Sequence, residues 1–279
     1  MALLPTATPE DRFWHHGARV LTGAVLLFLT LPLLVIIPVS FTAGNSLAFP
    51  IPGFSGQWYA SVLGSDAWRH AARNSLLVGI PAALVALAAG VPAAVALART
   101  RSRMKPLIIG LVLSPMIVPI VITAVGMYFF FVEIGLVGTY PGLILAHAVL
   151  GVPFVVITVT ATLEGFDRNL LRAAAGLGAP PIRAFRDVML PLILPGVLSG
   201  GLFAFATSFD EIVVALFLAA PEQRTLPRQI FSGVREYVSP AIAAVAVLLT
   251  LVSAALLLVT EVLRRRTARL RGRDHRIAP

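Results

Sequence analysis

Two adjacent carboxylates, Asp210 and Glu211, lie inside an apolar run extending from Pro191 to Ala219. A pair of this kind can neutralise a passing cation, or it can accept hydrogen bonds that hold helices together. Inside a hydrocarbon core an aspartate costs ~2.5–3.5 kcal/mol even on permissive insertion scales, so its presence asks for a partner or a water-filled path. Neighbouring helical residues point about 100° apart, and the two acids cannot share one direction. On one continuous helix Asp210 shares a face with Phe203, Thr207, Val214 and Phe217. In a pathway reading, Asp210 and Glu211, next to Phe209 and together with Glu133, supply counter-charge for a cationic cargo. Tyr128, Phe129, Phe130 and Phe131 then offer cation–π faces. In a structural reading, Asp210 or Glu211 accepts from Arg73, Asn74 or a backbone nitrogen, and the aromatics pack against lipid or a neighbouring helix.

Other chemistry is missing from the chain. There is no cysteine, hence no disulfide, thiolate metal site or cysteine nucleophile. No G-x-x-x-x-G-K-[ST] loop is present to cradle nucleotide phosphates, no G-x-S-x-G elbow and no H-E-x-x-H pair. His147 stands alone in an apolar stretch, the setting of a hydrogen-bonded packing residue rather than a metal ligand. The expectation is a chain without catalytic residues, metal or cofactor of its own.

The elements that position these residues follow from composition. Of 279 residues, 58% are hydrophobic and 13% charged, with a mean hydropathy of +0.90; soluble domains have about 45–50% apolar and about 25% charged residues. A soluble enzyme is excluded. Apolar stretches near the ~20 residues of a membrane-crossing helix predict an all-α protein with six spans, at about 20–42, 71–98, 106–132, 141–161, 191–219 and 239–263. From Pro195 to Asp210 is about 22 Å of helix at ~1.5 Å per residue, which puts the acids in the outward half of a core about 30 Å thick.

The basic residues are divided unequally. Seventeen of the 22 Lys and Arg fall in the N-terminal segment, the second-to-third and fourth-to-fifth connections and the tail; Arg69, Arg73, Arg224, Arg228 and Arg235 fall on the other side. Lys and Arg resist translocation, so both termini are expected in the cytoplasm. The domain organisation expected is a cytosolic segment 1–19, a six-span domain 20–263 and an Arg-rich cytosolic tail 264–279. The tail lacks interleaved aromatics and reads as an anchor near anionic lipid rather than a nucleic-acid site. The apolar run after Arg12 and Arg19 is longer than the 7–15 residues of a cleaved signal, and reads as a retained helix despite Pro32 and Pro38. Pro50, Pro52, Gly53 and Gly56 mark the outward loop 43–70 as turn-rich, with Trp58 and Tyr59 expected at the headgroup level.

Between the fourth and fifth spans, residues 163–200 are too polar to cross. Leu170, Leu171, Ala174 and Leu177 recur at near-helical spacing, Gly178 ends the turn, and Pro180-Pro181 forbids its continuation. A second short helix then places Ile182, Phe185, Val188 and Met189 on one face before Pro191 opens the next crossing. An amphipathic pair of this kind either docks into a groove of another protein or lies flat on the membrane.

The run Arg172-Ala173-Ala174, three residues, Gly178, nine residues, Val188, one residue, Leu190-Pro191 resembles the EAA loop of permease subunits of ABC importers. The resemblance covers roughly 54–264. WYASVL at 58–63, RNSLLVG at 73–79, SPMIVPIVI at 114–122, SFDEIVVALF at 208–217 and TLPRQIFSGVREYVSPAIAA at 225–244 are similar to the second permease of spermidine/putrescine-type systems. The resemblance implies a type I importer fold in the bacterial inner membrane, with a coupling loop at about 163–190. It implies as partners a second permease subunit, two cytosolic ATPase subunits that use ATP and Mg, and an extracytoplasmic binding protein. It assigns ATPase coupling to Arg172, Ala173, Ala174, Leu177, Gly178, Phe185 and Arg186; Arg172 replaces the family's leading glutamate. Import of another small solute, such as an inorganic anion or amino-acid derivative, an ion-coupled secondary transporter and a structural scaffold are the other readings.

Overall fold

The computed structural model describes residues 9–236 and 239–274. Residues 1–8 of the expected N-terminal segment and 275–279 of the expected tail, with Arg276, lie outside the described residues. In chain order the helices are α1 (Pro9–Ser40), α2 (Gln57–Gly64), α3 (Asp66–Arg99), α4 (Lys105–Ile117), α5 (Ile120–Glu133), α6 (Tyr140–Glu164), α7 (Asn169–Gly176) and α8 (Pro181–Ala184). A π-helical turn (Phe185–Met189) leads into α9 (Leu190–Asp210), followed by α10 (Val213–Leu218), a 3-10 turn (Pro221–Gln223), α11 (Leu226–Glu236) and α12 (Pro240–Asp274). The described residues contain no strand, only an isolated bridge between Thr42 and Phe54. The chain divides into two compact units, residues 1–64 with 233–250, and residues 65–232 with 251–279.

In the first unit α1 runs unbroken through Pro32 and Pro38, and its apolar stretch Trp14–Ser40 has no buried residue in its most apolar window. The segment after it is stapled by side chains. Trp58 Nε1 donates to the Thr42 carbonyl at 2.9 Å, the Tyr59 and Ser40 hydroxyls are 2.7 Å apart, and Tyr59 lies against the Phe41 ring at 4.8 Å. The two aromatics expected at the headgroup level therefore use their polar tips within the protein.

In the second unit the apolar runs form long helices with charges suited to their ends: Asp66 in the first turn of α3 and Arg99 in its last favour the helix dipole. Thr139 caps α6 by accepting from the Gly142 amide at 3.1 Å. Small residues let α3, α6 and α9 approach closely. A Cβ added at Gly90 would stand 2.7 Å from Val155 Cγ1; at Gly151, 2.8 Å from Ala204 Cβ and 3.2 Å from Ala86 Cβ; at Gly200, 2.9 Å from Val155 Cα. Around this crossing Ala86, Ala94, Val159 and Ile193 are fully buried. Gly151→Leu is accordingly expected to cost roughly 1–3 kcal/mol by overpacking, lowering the melting temperature of the detergent-solubilised protein. Gly110→Leu, which meets nothing within 4 Å, should leave it unchanged; equal melting of the two variants would contradict this packing.

Two expected spans differ in form. The segment expected as one helix over 106–132 is bent by 105° between α4 and α5. Pro119 drives Val118 into extended backbone with ψ 135°, which ends α4, and α5 starts afresh after the proline. The segment expected over 191–219 stops at Asp210, because Glu211 is extended with ψ 123°. At its other end the expected separate second helix of the loop is continuous with the span: Pro181–Asp210 is helical throughout, and the π turn lets the Leu190 amide reach the Phe185 carbonyl just before Pro191, which has no N–H to offer. Four helices, Trp14–Ser40, Asp66–Arg99, Tyr140–Glu164 and Pro181–Asp210, are long and apolar enough to cross a membrane; the bent pair makes a fifth if it is one span. The sixth expected segment falls on α12, apolar over Pro240–Ala255 among the described residues.

Candidate functional site

The loop after α6 is built around a turn that only a residue without Cβ adopts freely. Gly178 has φ +80°. Its amide donates to the Ala175 carbonyl at 2.9 Å and that of Ala179 to the Ala174 carbonyl at 3.0 Å, which together make the Schellman motif that closes α7. Pro180 and Pro181 then start α8. Leu177, on the turn, is 89% exposed and Ile182, on α8, is 82% exposed. Ala173 is also exposed and Ala174 half-buried. Phe185, expected on this docking face, turns inward instead: it is half-buried and packs against the core shared by α3, α6 and α9, with Met189 buried beside the same core. Ile182 faces outward while Phe185 and Met189 face the core, so the face expected to hold all of them is divided between an outward tip and an inward root.

The root ties the loop to the long helices. Phe166, Leu171, Phe185 and Leu190 pack on the core, and Arg168 Nη2 donates to the Ala98 carbonyl at the end of α3 at 2.6 Å. Arg172 is exposed, its Nη1 3.3 Å from Asn169 Oδ1. Arg186 is paired with Asp187 at 2.7 Å. Packed side chains and one hydrogen bond to a carbonyl thus connect the turn that carries Leu177 and Ile182 to α3, α6 and α9.

At the far end of α9 the two acids separate. Glu211 is half-buried and its Oε1 accepts from the Val214 amide at 2.6 Å, capping α10. This is the backbone partner that the structural reading required, for one acid of the pair. Asp210 is exposed and has no hydrogen bond or ion pair among the described residues. Because the helix breaks after Asp210, Val214 and Phe217 do not continue its face, contrary to the continuous-helix expectation; Val214 is fully buried. Phe209 stacks on Phe205 at 5.4 Å. Glu133 ends α5 and is exposed, Tyr128 is half-buried, Phe129 and Phe130 are exposed, and Phe131 is buried in the core with Leu143 and Val214. The aromatic run is thus split, with Phe131 withdrawn from any path.

Asn74 and Arg73 do not serve the acids. Asn74 is buried and donates through Nδ2 to the carbonyls of Glu222 and Arg224 at 2.8 and 3.1 Å, while its Oδ1 accepts from the Tyr140 hydroxyl at 2.9 Å. Gln223 donates to the Gly138 carbonyl and accepts from the Ala220 amide, and the Leu226 amide donates to Ser75 Oγ. Arg228 donates to the carbonyls of Ala219 and Ala220 at the end of α10; burial, with the Arg224 charge, holds its pKa below the ordinary arginine value. This knot of buried polar groups closes the loop after α10 onto α3 and α6. Sequence reading did not find it, since an Asn and a Gln carry no spacing signal. His147 is fully buried on α6, its Nδ1 2.8 Å from Ser208 Oγ of α9.

The family of binding-protein-dependent transport system inner membrane components matches residues 86–270. The chain belongs to this family. The spermidine/putrescine transport system permease protein PotC of Shigella flexneri is 33% identical over 253 residues, covering 90% of this chain and 95% of that protein. The putrescine transport system permease protein PotI of Escherichia coli (strain K12) is 34% identical over 229 residues, covering 80% and 81%. A chain in the crystal structure of a bacterial ABC transporter involved in the import of the acidic polysaccharide alginate superposes with a TM-score of 0.74 at 18% identity, covering 92% of this chain and 99% of that one; at this identity the likeness concerns the fold. The protein is thus a permease subunit of an ABC importer and a multi-pass membrane protein, and the secondary-transporter reading is not favoured. Relatives of this permease are transport subunits rather than enzymes.

Proposed function

We propose that the permease imports cationic amines of the spermidine and putrescine class. The observation that carries this reading is identity of 33–34% to PotC and PotI proteins over most of the chain, and the exposed, unpaired carboxylate of Asp210 at the end of α9 is chemically suited to it. The permease pairs with a second permease subunit, receives cargo from an extracytoplasmic binding protein, and rests on two cytosolic subunits that hydrolyse ATP with Mg. Both termini and the loop around Gly178 face the cytoplasm, in keeping with the basic residues on that side. ATP closes the ATPase pair, Leu177 and Ile182 move with it, and the packed root around Phe185 and Arg168 conveys that motion to α3, α6 and α9, opening the outward side. Linkage then requires a loaded binding protein to favour the ATP-closed state.

The test is ATP hydrolysis by the assembled importer in vesicles, with binding protein that is empty or loaded with spermidine, putrescine or an anionic solute. Stimulation by the loaded polyamine forms and not by the anion is the expected result. Stimulation by the anion alone would overturn the cargo assignment while leaving the importer intact.

A further inference from the structure

Between α4 and the neighbouring ends of α3 and α6 lies a cavity of about 290 Å³, walled by Leu97, Ile109, Leu113 and Val156. Two charged residues line it from different helices: Lys105 is the first residue of α4 and Glu164 the last of α6. They form no ion pair with each other or with any other group among the described residues, although both line one cavity. Lys105 is half-buried. Helix α4 has no fully buried side chain of its own, and Leu107, Ile108 and Leu111 along it are exposed. The cavity therefore adjoins apolar surface of the kind that faces acyl chains.

An apolar slot with an unpaired cation and an unpaired carboxylate calls for a ligand that is a hydrocarbon chain with a phosphate and an ammonium at one end. We propose that the slot holds one phospholipid of the phosphatidylethanolamine type, from the leaflet on the coupling-loop side. An acyl chain lies along the apolar wall, the phosphate meets the Lys105 ammonium, and the lipid's ammonium donates to the Glu164 carboxylate. Each contact is a charge-assisted hydrogen bond, the stronger class. A purely anionic headgroup fits less well, because Glu164 repels it while the nearby Arg168 is engaged with the Ala98 carbonyl and Arg99 lines a separate cavity. The lipid bridges the start of α4 to the end of α6 and so holds the bent α4–α5 pair against the second unit's core. Nothing here depends on the identity of the cargo.

The experiment is native mass spectrometry of the assembled importer after delipidation and titration with phosphatidylethanolamine, phosphatidylcholine or phosphatidylglycerol. One tightly retained phosphatidylethanolamine is expected. Lys105→Ala and Glu164→Gln should each weaken it by about tenfold, the size of one charge-assisted hydrogen bond. Phosphatidylcholine, whose quaternary ammonium has no N–H, should bind like phosphatidylethanolamine to the Glu164→Gln variant. Because the chain has no cysteine, Ala161→Cys, on the cavity wall, reports occupancy independently: maleimide labelling should slow in phosphatidylethanolamine nanodiscs relative to phosphatidylglycerol ones. Equal retention of all three lipids, or tighter retention of phosphatidylglycerol, would overturn the proposal. So would labelling blocked in every lipid, which assigns the slot to a protein neighbour, or a Lys105–Glu164 double-mutant coupling undiminished in lipid-free detergent, which makes them a direct pair.

Discussion

The double variant Leu177→Glu with Ile182→Glu is expected to lose association with the ATPase subunits while the permease itself folds as before. Both side chains are more than four-fifths exposed, and surface substitutions of this kind change stability by roughly ±0.5 kcal/mol. Docked in a groove, each glutamate would be a buried carboxylate without a partner, and charges of that kind cost several kcal/mol each. A loss of affinity above about a hundredfold follows, at 1.4 kcal/mol per factor of ten. The measurement is co-purification of ATPase subunits with the permease, together with its melting temperature. Undiminished co-purification would show that the outward tip is not the docking surface. Phe185→Ala, by contrast, should act on stability first, because Phe185 belongs to the inward root of the loop.

The second large effect separates the paired acids. Asp210→Asn keeps the shape of an exposed side chain and removes only its charge, so the melting temperature should not move. If Asp210 gives counter-charge to the cargo, polyamine uptake should fall at least about tenfold: two unit charges 4 Å apart interact by about 4 kcal/mol at an effective dielectric of 20, and part of that is enough. Glu211→Gln retains an oxygen that can accept from the Val214 amide, and should transport nearly as the parent does. Glu211→Ala removes the cap of α10 and should lower stability by about 0.5–2 kcal/mol, the range for helix caps. Wild-type uptake by Asp210→Asn would rule out the counter-charge role.

Local chemistry accounts for how much was legible beforehand. The membrane class, the helical content and the position of the apolar segments follow from composition and from runs that cannot be solvated, and the expected spans fall largely on helix, two of them interrupted. The Gly178 turn was legible for the same reason: a left-handed residue between a helix and Pro180-Pro181 is decided within a few residues of backbone. The spacing from Arg172 to Pro191 was legible because that short stretch carries its own register.

The rest depended on contacts between distant parts of the chain. Hydropathy averages over a window and does not register a single extended residue such as Val118 or Glu211, so the 105° bend and the break before α10 were unreadable. Helical periodicity placed Phe185 with Ile182, but packing against α3, α6 and α9 covers Phe185 and leaves Ile182 open. Asp210 and Glu211 are neighbours of like chemistry, and composition cannot tell the one that caps a helix from the one left open. Asn74 reaches carbonyls about 150 residues away, a link with no local trace. Solvent exclusion and the rise of a helix acted through nearby residues and could be read from the sequence; which polar group meets which across the unit was set by folding, because buried donors and acceptors must find partners wherever the packed helices bring them.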